Sequence, residues 1–281
     1  MKFGFSEFTT WPWSFEEDLR EYKAAGAEWI EICEFKLAQQ EYARGLQLAA
    51  DSGLTVGSVQ AKIHSIFPDS MESTTKDPRD RVSAIKDAIR LSAPSLPKGT
   101  PFIIITGIAP EANMRKAVDA TIEALKELGD FAGEHGMKIA FEPLNPINVH
   151  LDTAVWGLNR GLALVERVNN PNVGICIDTW NIWETPDLYD VIAACGKRIL
   201  VIQLSDWKMP RSPADRYSLG DGDLPLAEMF RAIRKTGFDG PWVVEILSSL
   251  HLERSLWKGD MRAMLRANRE TFMRLWEESS Q

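Results

Sequence analysis

A short apolar run followed by a longer amphipathic stretch recurs eight times along this chain, and a strand-helix unit repeated that often leaves few folds open. The runs lie at 2–8, 29–35, 55–61, 102–107, 138–144, 173–179, 199–205 and 242–247, with no linker or composition break between them. FIIITG, VGICID and ILVIQL are apolar on both faces, which suits a parallel sheet covered on both sides. Eight such units in 281 residues predict a (β/α)8 (TIM) barrel, a single α/β domain over residues 1–281. A doubly wound open sheet, the main competitor, would carry a glycine-rich phosphate turn after an early strand. Neither GxGxxG nor a Walker A pattern occurs.

Local signals agree with this reading. Ser14 and Glu17 form a capping box for the first helix, whose pattern ends at Gly26. The fourth helix, from 113 to 134, carries apolar residues at Ala117, Ile122, Leu125, Leu128 and Phe131. Gly53, Gly136 and Gly237 each stand just before a strand, where a helix C-cap with positive φ is wanted. The Ser/Pro-rich segment 92–101 is expected to be the loop before the fourth strand.

Charge narrows the partners. Forty acidic residues against 32 basic ones give a net charge of −8, which is unsuited to a nucleic-acid backbone. No segment has the length and apolarity of a membrane span or a signal peptide, so a soluble cytoplasmic protein is expected, with no membrane partner. Cys33, Cys176 and Cys195 are odd in number, lack CxxC spacing and sit in apolar runs, so they read as reduced and buried.

In a barrel of this kind the active site lies at the C-terminal ends of the strands. There, Glu142 follows KIAF, Asp178 follows VGICI, Gln203 follows ILVI and Glu245 follows PWVV, on four neighbouring units. Singly, each acid reads as a helix cap or an ion-pair partner. Jointly, three carboxylates converging on one point would repel unless a cation or shared protons offset them. One divalent metal is the simplest resolution, and an all-oxygen set of three carboxylates and an amide carbonyl favours Mn²⁺ or Mg²⁺ over Zn²⁺.

The motifs FEPLNP (141–146), CIDTWN (176–181), VIQLSDWK (201–208), SLGDGDLPL (218–226) and PWVVEIL (241–247) resemble those of the xylose isomerase-like barrels. That family includes sugar-phosphate isomerases and epimerases, ketose 3-epimerases and inosose dehydratases, and the resemblance covers nearly the whole chain. It implies a metal held by Glu142, Asp178, Gln203 and Glu245, although the family has His where this chain has Gln203. It further implies that Glu142 and Glu245 are the catalytic acid/base pair, moving a proton through an enediolate of a keto-sugar or sugar phosphate. Asn181 stands where many epimerases have a substrate-contacting His. The resemblance also suggests Arg216, with Lys208 and Arg211 nearby, for the far end of the substrate, and His64 and Asn148 as substrate contacts. Trp11, Trp13, Trp180, Trp183 and Trp207 fall in loops of the same face, where Trp11 would offer a sugar an apolar wall. Asp206 and Asp221 are expected to orient loop backbone.

The leading expectation is therefore a divalent-metal-dependent sugar isomerase or epimerase acting on a small-molecule sugar. The same site could serve a lyase or dehydratase of an oxo-sugar or 3-oxo-glycoside, and a non-catalytic sugar-binding barrel is the third reading. The nuclease branch of the family, endonuclease IV, needs a histidine-rich zinc cluster and a basic face. Four histidines and a charge of −8 exclude it. Family members commonly form homo-oligomers, but no oligomer face is visible in the sequence.

Overall fold

Eight parallel strands close on themselves in chain order. The computed structural model describes residues 2–37, 42–209 and 215–280. The strands are β1 (Phe3–Ser6), β2 (Trp29–Cys33), β3 (Thr55–Gln60), β4 (Pro101–Ile104), β5 (Lys138–Phe141), β6 (Val173–Asp178), β7 (Ile199–Leu204) and β8 (Trp242–Val244). Closure is made by β1 on β8, with Phe3, Gly4 and Phe5 opposite Trp242, Val243 and Val244, so the sheet has no free edge. All eight expected strands are present at the expected starts within a residue. They end sooner than the apolar runs, because the last residues of each run leave the ladder to form the C-terminal face of the barrel.

Helices α1 (Phe15–Ala24), α2 (Tyr42–Asp51), α3 (Pro78–Ser92), α4 (Met114–Glu134), α5 (Leu158–Val168), α6 (Thr179–Ile182), α7 (Leu188–Cys195), α8 (Leu226–Lys235) and α9 (Met261–Glu278) connect and cover the strands. The Ser14 and Glu17 capping box is formed in full. Gly53, Gly136 and Gly237 have φ of +75°, +71° and +78°, the conformation expected of them. α4 buries Ala117, Ile122, Leu125 and Leu128 at helical spacing, one stripe of the main core that lies between helices and sheet. The segment before β4 contains a short turn, Ala93–Ser95, and is otherwise loop. No helix among the described residues is long and apolar enough to cross a membrane. The three cysteines are free and buried.

Inside the barrel sits a second, small apolar layer of Ile103, Ala140, Cys176, Val201 and Val243. Side chains two residues apart on a strand share a face, so the next inward layer toward the C-terminal end is set by this one. Two residues beyond Ala140, Cys176, Val201 and Val243 lie Glu142, Asp178, Gln203 and Glu245. Although Glu142 and Glu245 fall just past their strands, their N–H groups still donate to Ile104 O and Leu204 O at 2.9 and 2.8 Å, which prolongs the ladder and fixes where they point.

The loop after β3 lies on the C-terminal face of the barrel and is braced by Arg81 of α3, which is fully buried. Its guanidinium donates to Glu72 Oε2 at 2.7 Å, Asp69 Oδ2 at 3.1 Å, Ser65 O at 2.9 Å and Thr75 O at 2.9 Å. Removing one partner of such a group leaves the others buried and uncompensated. Arg81→Met is expected to destabilise the fold by about 3–5 kcal/mol, measured by denaturant unfolding. A change below 1 kcal/mol would mean that the brace is dispensable.

Candidate active site

The strand-end layer is polar, buried and continuous. Glu142, Asp178, Gln203 and Glu245 are all at most 5% exposed. Arg216 joins them from the loop between β7 and α8: its Nη1 donates to Asp178 Oδ2 and Glu245 Oε2, each at 2.8 Å. Asn181 Nδ2 donates to Glu142 Oε1 at 2.7 Å and Asp178 Oδ2 at 3.0 Å, while Asp178 Oδ1 caps α6 by accepting from Trp180 N. The other half of the layer is amide-bridged. Gln203 Nε2 donates to Glu245 Oε1 and Glu31 Oε1, both at 2.9 Å, and Gln60 Nε2 donates to the same two atoms at 2.5 and 2.9 Å. Ser58 Oγ donates to Glu31 Oε2 at 2.6 Å. The orientation of Gln203 follows from its neighbours: its nitrogen faces two carboxylates, and its oxygen accepts from Cys176 Sγ at 3.0 Å. Turned over, the amide would set its oxygen against two carboxylates.

Four carboxyl groups surround one guanidinium, and burial makes the surplus charge costly. Burial first, then Asp178, pushes the Glu142 carboxyl up to about 8, against the pull of Arg216. Burial also raises Glu245, opposed by Arg216. Burial works against the charge on Arg216 itself, but Asp178, Glu245 and Glu142 outweigh it and raise its pKa further. The layer thus keeps its cation and takes up protons to balance the rest.

Above the layer opens a cavity of about 280 Å³, lined by Glu142, Glu245, Arg216, Asn181, Gln60, His64 and Asn148, with Phe8, Met71, Leu151 and Asp152 among the rim residues. Of the residues singled out in the sequence, Glu142, Asp178, Gln203, Glu245, Asn181 and Arg216 are brought into one network, and His64 and Asn148 line its cavity. His64 Nδ1 is buried without a hydrogen-bond partner. Asn145 is a support residue: its N–H donates to Asn181 Oδ1 at 3.0 Å. Trp11 stands one step back, stacked on Phe8 at 5.4 Å, and Phe8 rather than Trp11 meets the cavity. Trp180 is core beneath Arg216, and Trp183 packs on Trp207 at 4.4 Å. Asp206 orders its loop, accepting from Trp207, Gly220, Gly222 and Leu224, whereas Asp221 is exposed. Lys208 and His150 are exposed, and Arg211 lies outside the described residues. Sequence reasoning missed Glu31 and Gln60. A polar residue of inward parity inside an apolar strand, as in WIEIC and TVGSVQ, was the available signal.

A family profile for xylose isomerase-like TIM barrels matches residues 19–267. Curated relatives include a ketose 3-epimerase of Arthrobacter globiformis, 27% identical over 52% of this chain and 50% of that protein, and an L-ribulose 3-epimerase of a Methylomonas species, 30% identical over 46% and 42%. A 3-dehydroshikimate dehydratase of Pseudomonas putida is 24% identical over 57% of this chain and 26% of its own length. The chain thus spans half or less of the length of these relatives. Among solved structures, a Sinorhizobium meliloti protein superposes with a TM-score of 0.83 at 23% identity, covering 97% of this chain and 98% of that one. The IolI protein, solved with a zinc atom, gives 0.80 at 19%, covering 99% of each. At these identities the structures speak for the fold.

Because Glu142 holds its proton in the folded chain up to about pH 8 and loses it near 4.5 when unfolded, its contribution to stability is present at low pH and is lost as pH rises between those values. Asp18, raised by burial to about 6, acts in the same direction. The urea midpoint of the wild type is expected to fall from about pH 5 to about pH 8.5, with Glu142→Gln removing part of that fall. An unchanged slope in the variant would sink the assignment.

Proposed function

Because the chain belongs to the xylose isomerase-like TIM barrel family, we propose that it is a sugar isomerase or epimerase. It moves a proton at the carbon beside the carbonyl of a keto-sugar or sugar phosphate, through an enediolate. The observation that carries this reading is that Glu142 and Glu245, buried carboxyls in unlike settings, line one sugar-sized cavity. Glu245 takes the proton from carbon, its donors Arg216, Gln60 and Gln203 offsetting part of the burial that raises it. Glu142 has an amide donor and no cation contact, so it holds the proton that is returned. Returned to the opposite face of the same carbon, that proton completes an epimerisation; delivered to the neighbouring carbon, with the hydroxyl proton passing to the former carbonyl oxygen, it completes an isomerisation. His64 and Asn148 on the wall are placed to hydrogen-bond sugar hydroxyls.

The family, and the zinc in the IolI neighbour, suggest a divalent ion, and an all-oxygen set would favour manganese or magnesium. The residues of this chain do not fit one. Gln203 presents its N–H₂ to the carboxylates, its oxygen being occupied by Cys176, and Arg216 already joins Asp178 to Glu245. No group of three His, Cys, Asp or Glu side chains among the described residues is arranged to hold a metal.

A second reading, elimination of water from the same enediolate, is favoured by the dehydratase relative. The two are separated by incubating the protein with a panel of ketoses in deuterated water, with Mn²⁺ present so that the outcome does not depend on the metal. Deuterium wash-in without loss of water is expected, and Glu142→Gln and Glu245→Gln should each lower kcat by about 10²–10⁴-fold. Release of water would favour the dehydratase. Sugar binding with no exchange, unaltered in both variants, would leave only a sugar-binding barrel.

A further inference from the structure

We propose that Arg216 is the resident cation of this site, its guanidinium occupying the place and doing the electrostatic work of the divalent metal that the family implies. The inference rests on the isomerase/epimerase reading and deepens it by naming the group that stabilises the developing enediolate charge.

The geometry argues for it on three sides. One nitrogen, Nη1, bridges two of the three acidic residues that would be ligands, Asp178 and Glu245, and also donates to Glu245 O at 3.2 Å. The third, Glu142, is tied to Asp178 through Asn181 Nδ2, so the lone pairs that would face an ion already face N–H groups. Gln203, standing where the resemblance places a ligand, turns the positive end of its amide dipole toward Glu245. A cation at that point would be repelled by the same N–H₂ group that a ligand oxygen would have to replace. Arg216 and Gln203 thus turn N–H donors toward a point where a metal site needs acceptors.

The arginine is also built in, not draped over the site. Arg216 is 6% exposed, its N–H donates to Leu247 O at 3.0 Å, and the next residue, Tyr217, makes a two-way backbone bridge with Asp206. Its guanidinium lies over the Trp180 ring, 5.2 Å from the centroid, and that ring is core. Its Nε is buried without a hydrogen-bond partner, and the residue lines the cavity. A permanently charged guanidinium that lines a substrate cavity is what a developing oxyanion needs.

Titration of the purified wild-type chain with Mn²⁺ alone, followed by the electron-paramagnetic signal of the free ion, tests this without knowledge of the substrate. No saturable site is expected, and the melting temperature should be the same in Mn²⁺ and in EDTA. The double variant Arg216→Met/Gln203→His removes the cation and restores an acceptor, and is expected to bind one Mn²⁺ per chain. If that variant does not fold, the wild-type titration alone decides. One tightly held Mn²⁺ per wild-type chain, with a raised melting temperature, would overturn the proposal while leaving proton transfer at carbon standing. Absence of deuterium exchange on every ketose would sink the proton-transfer reading without altering the metal titration. Once a substrate turns over, its rate should be indifferent to EDTA, and Arg216→Lys should lower kcat about 10²–10³-fold with KM little changed.

Discussion

A barrel can close on a polar layer only if the charges in that layer balance, and here the balance hangs on a single guanidinium. Four carboxyl groups converge at the strand ends, and pairwise repulsion in a medium of low polarisability would drive such a set apart or force it to take up protons. Arg216 ties Asp178 to Glu245 across 2.8 Å contacts, and Asn181, Gln60 and Gln203 spread the remaining oxygens over N–H donors. What is left over appears as raised affinity for protons at Glu142 and Glu245. The chemistry of the site follows from that residue of imbalance. A carboxyl held protonated to about pH 8 can act as an acid at neutral pH, as the proposed reaction requires.

The architecture was open to sequence reasoning because it rests on periodicities that need no partner to be seen. Apolar runs at strand length, capping at Ser14 and Glu17, and glycines at Gly53, Gly136 and Gly237 are local, and the barrel follows from repeating them. The strand-end residues were legible for the same reason, since Glu142, Asp178, Gln203 and Glu245 each end an apolar run. Glu31 and Gln60 were not, because a single polar residue inside a strand declares its direction only once the inward face of every neighbouring strand is known. They complete the layer from β2 and β3.

The orientation of Gln203 is of a different order of difficulty. An amide offers a donor and an acceptor on nearly the same shape, and which one faces the site is settled by groups on three other strands: Cys176 on β6, Glu31 on β2 and Glu245 after β8. Sequence shows that His is absent at this position, and an oxygen ligand is the natural first expectation for its replacement. Only the assembled layer shows the nitrogen turned inward. Trp11 makes a similar point at the rim: its place after β1 suggested a wall for the sugar, but the ring stacks on Phe8, and it is Phe8 that reaches the cavity.

Replacing a divalent ion by a guanidinium changes more than the charge. A metal carries two positive charges at one point and binds neighbouring oxygens of a sugar together, whereas a guanidinium spreads one charge over a plane and offers its donors in fixed directions. The stabilisation available to an enediolate is therefore smaller and more directional, and more of the work falls on the acid/base pair. That is consistent with the setting of the two glutamates. Glu245 shares the arginine, which offsets part of the burial that raises it, while Glu142 lies on the far side of Asp178 with only Asn181 to hold it. In the proposed reaction a weaker electrophile would be matched by a carboxyl whose proton affinity lies closer to that of the enediolate it protonates, which lowers the cost of the transfer at both ends.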